Sequence, residues 1–218
     1  MQTSRFNGFN QIHKALRTLM FDTIMQVQQV DLSDVEASRP AIEQVELLLD
    51  HMDDHADHED HFILHPAESH APDLICEFES EHVIDLRLSS QLREKIAAYR
   101  ASEDRLAAGR EVYYALNAFV AFNLQHMNKE EQVLNEVLWQ HYSDGELLSF
   151  VRNIQQSIAP EKAAVTMKWM IKGMNNVELL QWFKAVQAEA PAPVYQMLLG
   201  AARELLTQDR WAWIQGRL

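Results

Sequence analysis

Residues 45–62 read Val-Glu-Leu-Leu-Leu-Asp-His-Met-Asp-Asp-His-Ala-Asp-His-Glu-Asp-His-Phe. Steps of three and four residues join one set of side chains in this stretch: Val45, Leu48, Met52, His55, Glu59 and Phe62. This spacing predicts an α-helix that turns one face toward a core. His55 and Glu59 therefore take positions on that face where Leu or Val is expected.

Three other segments repeat this pattern, and each also places a histidine on the face predicted to be buried. One contains Phe9, His13, Leu16, Met20, Ile24 and Val27, and another contains Ile75, Phe78, His82 and Leu86. The last contains Val112, Leu116, Phe119, Asn123, His126, Glu130, Val133 and Val137. Four predicted helices thus point histidines inward, and two of them add a glutamate four residues after the histidine.

The pattern and its Pro, Ser and Gly punctuation predict an all-α protein. Long helices are expected at 6–30, 39–64, 73–100 and 103–141, and shorter ones at 144–157, 160–173, 176–187 and 192–207. Ser38 is predicted to be the N-cap of the second helix, followed by the early Pro40, and Ser143 with Glu146 fits a capping box. Short connections between long helices favour an up-down-up-down four-helix bundle.

We predict that residues 1–142 form this bundle and that residues 143–218 form a helical C-terminal extension. The extension is rich in Met and Trp, including Met167, Trp169, Met170, Met174, Trp182, Trp211 and Trp213. Its helices either pack on the bundle or present a surface to a protein partner or a second copy of the chain.

Composition excludes several classes of function. A net charge of −13 disfavours nucleic acid and anionic membranes as partners. No apolar run approaches the roughly 20 residues of a membrane span. The N-terminal residues lack the apolar segment of a signal peptide, and the single cysteine, Cys76, is expected to be a buried small residue. These features predict a cytoplasmic protein.

The histidines and glutamates predict a metal centre. A residue and the one four positions later lie on the same helix face, so His55 pairs with Glu59 and His126 with Glu130. Two such pairs and two single histidines, His13 and His82, supply the ligands that two metal ions need. Imidazole and carboxylate together suit Fe, Mn, Zn or Ni. Each pair can give a nitrogen to one ion and a carboxylate that bridges to the other.

Two structural alternatives compete with this interpretation. A lone core histidine is usually a hydrogen-bonded structural residue, and a bundle of that kind would bind zinc only adventitiously. A ferritin-like dimetal bundle needs two Glu-x-x-His motifs, but only Glu79-Ser-Glu-His82 fits, and no second copy faces it. Whether His51, one turn before His55, is a further ligand is left open.

These residues resemble the hemerythrin-like family, the HHE cation-binding domain, over residues 6–141. The resemblance rests on Ile-His13-Lys-Ala-Leu-Arg, on His55-Ala-Asp-His-Glu59, on Glu-Ser-Glu-His82 and on His126-Met-Asn-Lys-Glu130. It implies a non-haem centre of two irons joined by an oxo or hydroxo group. The four histidines would be terminal ligands, and Glu59 and Glu130 would bridge. Zn, Mn or Ni can substitute for iron.

Leu86 departs from the pattern of the oxygen-carrying members, which have a fifth histidine at that position. The chain instead looks more like the bacterial branch that responds to nitric oxide and repairs iron–sulfur centres. The resemblance implies a protein that binds O2, NO or a reactive oxygen species for sensing or detoxification. The alternative is an iron store or donor for iron–sulfur repair. We assign no catalytic residue and expect a ligand-binding protein rather than a dedicated enzyme.

Overall fold

A computed structural model describes residues 5–218. The protein is all-helical, with 86% of its residues in helices and no strand in the part of the chain described. The first five helices are α1 (Asn10–Gln29), α2 (Val35–Glu59), α3 (His65–Ala67), α4 (Pro72–Ala101) and α5 (Arg105–Lys129), of which only α3 is short. The shorter helices are α6 (Asn135–His141), α7 (Asp144–Ser157), α8 (Pro160–Gly173), α9 (Asn176–Glu189), α10 (Ala192–Leu205) and α11 (Gln208–Gln215).

Most helix boundaries follow the sequence prediction, but the starts of the first two helices do not, and α1 starts at Asn10 rather than at 6. Helix α2 starts at Val35 rather than at 39, because the Asp34 carboxylate caps it by accepting hydrogen bonds from the N–H groups of Glu36 and Ala37. Ser38 therefore lies inside the helix, where its hydroxyl is hydrogen-bonded to Tyr99 at 2.7 Å. Helix α11 was not predicted. The capping box at Ser143 is confirmed, since the Glu146 carboxylate accepts from the Ser143 N–H and the Ser143 hydroxyl accepts from the Glu146 N–H.

Two π-helical turns interrupt the long helices. The first, π1, covers Asp60–Leu64 after α2, and the second, π2, covers Glu130–Leu134 after α5. At their ends the N–H of His65 donates to the Asp60 carbonyl, and the N–H of Asn135 donates to the Glu130 carbonyl. Each of these bonds spans five residues rather than four, so each turn contains one extra residue.

The extra residue in each π-turn rotates the side chains that follow it about the helix axis, away from the positions that regular α-helical spacing predicts. The expected core residues Phe62 and Val133 are partly exposed, Val133 by 42%. Leu64 and Leu134 are fully buried instead. With Phe9, Ile63, Ala67, Ile75, Phe78, Leu138 and Leu147 they form one apolar cluster. The two π-turns thus place Leu64 and Leu134 in an apolar cluster directly after the two predicted metal-binding glutamates.

The chain divides into two compact units by its internal contacts. One contains the described residues up to Asn10 together with Leu19–Ser157, and the other contains Gln11–Thr18 with Ile158–Leu218. In the first unit α4 packs mainly against α5 and also against α2. The division into domains at residue 142 stays a prediction.

The second unit has an apolar core of its own. It is built from Ile171, Met174, Leu179, Phe183, Tyr195, Leu198, Ala202, Leu206 and Ile214. Packed against it are the partly buried Met167, Met170, Trp182, Trp211 and Trp213, so much of the Met- and Trp-rich set serves packing. Gly173 allows the end of α8 to approach Lys14, since a Cβ at Gly173 would lie 2.4 Å from the Lys14 carbonyl oxygen.

No described helix combines the length and apolar character that crossing a membrane requires.

Candidate metal centre

The six residues predicted as metal ligands are all buried. Their exposed fractions are 0% for His13, 9% for His55, 2% for Glu59, 3% for His82, 5% for His126 and 0% for Glu130. A carboxylate is rarely buried to this degree unless it is paired or bound to a metal. Burial at all six positions is what a metal centre inside the helices requires.

The side chains converge in two groups whose ligand atoms lie within 4.8 Å of one another. The first group is His13, His55, Glu59 and Glu130, and the second is Glu59, His82, His126 and Glu130. Glu59 and Glu130 belong to both groups. A carboxylate has two oxygen atoms, so each shared glutamate can face two ions at once.

The two His-x-x-x-Glu pairs form the close contacts that their helical spacing predicts. The distance from His55 Nε2 to Glu59 Oε1 is 3.2 Å, and that from His126 Nε2 to Glu130 Oε1 is 3.1 Å. His82 connects the pairs, because its Nε2 lies 3.0 Å from His126 Nε2 and 3.7 Å from Glu59 Oε2.

Two carboxylates that the sequence pattern did not single out hold the imidazoles of His82 and His126. The Nδ1 atom of His82 lies 2.6 Å from Asp60 Oδ1, and that of His126 lies 2.7 Å from Glu81 Oε2. Lys129 fixes Glu81 through a 2.6 Å bond to its other oxygen. A carboxylate that accepts the Nδ1 proton leaves Nε2 as the ligand atom and fixes the ring plane.

The role of Asp60 does not follow from the helical pattern of the sequence. Asp60 is the first residue of π1, and its carboxylate reaches across to α4 although it is 43% exposed. α-Helical periodicity does not put Asp60 on the same face as Glu59. The sequence indicated only that Asp60 is adjacent to Glu59, and this adjacency does not reveal the π-turn.

Replacing Asp60 with alanine is expected to lower metal affinity by about 10- to 100-fold, since the ring of His82 would lose its fixed orientation. The measurement is a competition titration with a chromophoric chelator. Asp57→Ala is the matched control, because Asp57 is on the same helix but its side chain is 71% exposed. Equal affinities in the two variants would contradict the role given to Asp60.

Neighbouring carboxylates set the protonation of the central imidazoles. Burial by itself lowers the pKa of His82, but the hydrogen bond with Asp60 and the nearby carboxylate of Glu59 outweigh it and raise that pKa to about 10. Burial likewise opposes protonation of His126, while Glu130 raises its pKa above the ordinary value. The neighbouring carboxylates therefore favour the protonated rings, so that protons and a metal compete for the same nitrogen atoms.

Leu86, which occupies the position of the fifth histidine of the oxygen-carrying members, does not face inward as predicted. Leu86 was expected on the inward face of the third long helix, but its side chain is 50% exposed. Asp85 takes the inward position and is 2% exposed. Burial raises the pKa of Asp85, and the hydrogen bond from Asn123 opposes that rise. The Nδ2 atom of Asn123 donates to Asp85 Oδ1 at 2.6 Å.

Other candidate residues lie outside the two groups. His51 hydrogen-bonds through Nδ1 to the Leu47 carbonyl at 2.9 Å and is not part of either group. His70 stacks on His141 with ring centroids 4.1 Å apart. Cys76 is exposed, contrary to the expectation of a buried thiol, because it faces away from the side of α4 that contains the buried Ile75 and Phe78.

The donor set fits a pair of transition-metal ions. It consists of imidazole nitrogens and carboxylate oxygens without a thiolate in either group, a combination that suits Fe, Mn, Zn or Ni.

Comparison with known proteins supports this chemistry. The family described as Hemerythrin HHE cation binding domain matches residues 6–165, well over half of the 218-residue chain. No curated protein and no solved structure gives a significant match. The resemblance drawn from the sequence is confirmed, and the chain belongs to the hemerythrin HHE cation-binding domain family.

Proposed function

We propose that the protein binds two iron ions and uses them to bind O2, NO or a reactive oxygen species, for sensing or detoxification. The observation that carries this proposal is the pair of ligand groups that share Glu59 and Glu130. His13 and His55 would complete one ion's ligands, and His82 and His126 those of the other. The two glutamates would bridge, and Zn, Mn or Ni can take the place of iron.

The proposed architecture is an up-down-up-down bundle of α1, α2, α4 and α5, followed by a helical extension from residue 143. Contacts between α2 and α4 support opposite directions for these two helices. Arg100, late in α4, pairs with Glu46, early in α2, while Arg93 pairs with Asp53, further along α2. Such an arrangement brings ligands from four helices to one level.

Bound iron would supply a redox-active ion that can take a small exogenous ligand. The chain's own residues hold and orient it: Asp60 and Glu81 fix the rings of His82 and His126. The apolar cluster beyond the glutamates, which includes Leu64 and Leu134, excludes water from that end. Helix α4 supplies one imidazole, that of His82, and has Leu86 where the oxygen-carrying members have a fifth histidine, a difference that supports ligand sensing or reduction over reversible oxygen carriage.

The proposal is tested by optical spectra of the protein reconstituted anaerobically with Fe²⁺, before and after exposure to NO or to O2. We expect a new absorption band with at least one of the two gases, while the iron content stays constant. A spectrum that neither gas changes would contradict the proposal.

An iron donor for iron–sulfur repair is the alternative role. It predicts rapid transfer of iron to an apo iron–sulfur protein, whereas the buried ligands of this site favour retention. Iron that remains bound after mixing with the acceptor supports a sensor or a detoxifying protein, and complete transfer supports the donor.

A further inference from the structure

A line of polar side chains continues along α4 from the candidate metal centre. His82 is followed on the inward face by Asp85 and Ser89, each 2% exposed, where a packed helix normally presents apolar residues. Helix α5 contributes Asn123, whose Nδ2 donates to Asp85 Oδ1 at 2.6 Å and to the Phe119 carbonyl at 3.1 Å. These buried polar side chains thus form a line through a core that is otherwise apolar on this side of His82, as at Leu92, Leu116 and Phe119.

Two buried atoms in this region have no hydrogen-bond partner within the protein. They are Ser89 Oγ and Asp53 Oδ1, on α4 and α2. A buried polar atom left without a partner costs about 1–3 kcal/mol. Proteins commonly meet this cost with an ordered internal water that bonds several such groups. The two atoms, with the carboxylate of Asp85 nearby, provide the polar surroundings that such waters need.

The outer end of the line reaches solvent at Arg93, one turn beyond Ser89. Its Nη2 atom donates to Asp50 Oδ1 and to Asp53 Oδ2, both at 2.8 Å. The three side chains are 38%, 59% and 31% exposed respectively. From His82 to Arg93 the distance along the helix is about 16 Å, at about 1.5 Å per residue.

We propose that this polar line is a hydrated route by which small polar ligands pass between solvent and the metal centre. Arg93, held by Asp50 and Asp53, closes its outer end. The proposal deepens the proposed function and rests on it, because the route has a purpose only if metal is bound at its inner end.

The test uses the iron-loaded protein in its diferric form, with azide as the probe and its binding followed by the change in absorption. Ser89→Leu fills the route and is expected to lower both the association and the dissociation rate by about tenfold. Arg93→Ala opens the outer end and is expected to raise both rates severalfold. The dissociation constant should stay nearly unchanged in both variants, because an obstacle on a route does not alter the free energies of the bound and free states.

Arg87→Ala is the control, since Arg87 is exposed on the same helix and lies off the polar line. A change in the association rate alone would indicate electrostatic steering of azide and would overturn the proposal. Rates equal to the wild type in both Ser89→Leu and Arg93→Ala would also overturn it. If Ser89→Leu does not fold, the surface variant Arg93→Ala decides.

A crystal structure of the metal-free protein separates this proposal from the metal assignment. We expect at least one ordered water within hydrogen-bond distance of Ser89 Oγ or Asp53 Oδ1. If neither atom has a bound water, the proposed route is wrong, even when the protein binds iron. Hydrated atoms in a protein that binds no iron would contradict the proposed function, and with it the role of the waters as a route to a metal.

Discussion

Replacing Glu130 with glutamine is expected to reduce the metal content from about two ions per chain to less than about half an ion. Glu130 is fully buried and belongs to both ligand groups, so losing its charge affects both ions together. Glutamine keeps the volume of the side chain but has only one oxygen and no negative charge, so it cannot bridge two cations. Glu59→Gln is expected to behave in the same way.

The control is Glu136→Gln, since Glu136 is exposed and follows Glu130 by six residues. Metal content is measured by elemental analysis after anaerobic reconstitution, and circular dichroism checks that each variant remains helical. A Glu130→Gln variant that keeps one ion would show that the two groups bind independently. Retention of two ions would refute the bridging role.

Metal binding is expected to release protons, and the apparent affinity should rise by up to about tenfold per pH unit for each proton released. The Nε2 atoms of His82 and His126 lie 3.0 Å apart and face the same ligand group. Both must be free of protons before a metal can bind them. Because the pKa of His82 is raised to about 10, the competition extends well above the pH at which an ordinary histidine is neutral.

The direction of this dependence follows from the site. Below the raised pKa the ring is protonated and the proton opposes the metal, so affinity falls as pH falls, and metal is lost in acid. Isothermal titration in buffers of different ionisation enthalpy gives the number of protons released at pH 8. With Asp60→Ala that number should fall, because Asp60 helps to raise the pKa of His82. No proton release at pH 8, or full metal retention at pH 4, would contradict histidine ligation.

The sequence predicted much of the candidate centre because helical spacing is a local rule. A histidine and a glutamate four residues apart face the same way in any α-helix, so His55 with Glu59 and His126 with Glu130 could be paired without a structure. Their positions among apolar residues indicated burial. The side chains of all six predicted residues are indeed buried and close together.

The features that could not be predicted occur where the chain departs from regular α-helical spacing or where side chains contact other helices. The π-turns start at or directly after Glu59 and Glu130, and each adds a residue that a regular helical pattern does not contain. Val133 was therefore assigned to the core in place of Leu134. Asp85 and Leu86 are adjacent and follow His82 by three and four residues, so spacing alone did not decide which one faces inward. The carboxylates of Asp60 and Glu81 reach across to other helices, a relation that needs tertiary structure.

The central claim is that Glu59 and Glu130 join two metal ions within one chain. Elemental analysis of the 218-residue chain, reconstituted anaerobically with excess Fe²⁺ and freed of unbound metal, tests it most directly. Two ligand groups that share two carboxylates predict about two irons per chain. Fewer than about half an iron per chain in a folded, helical protein would contradict the account.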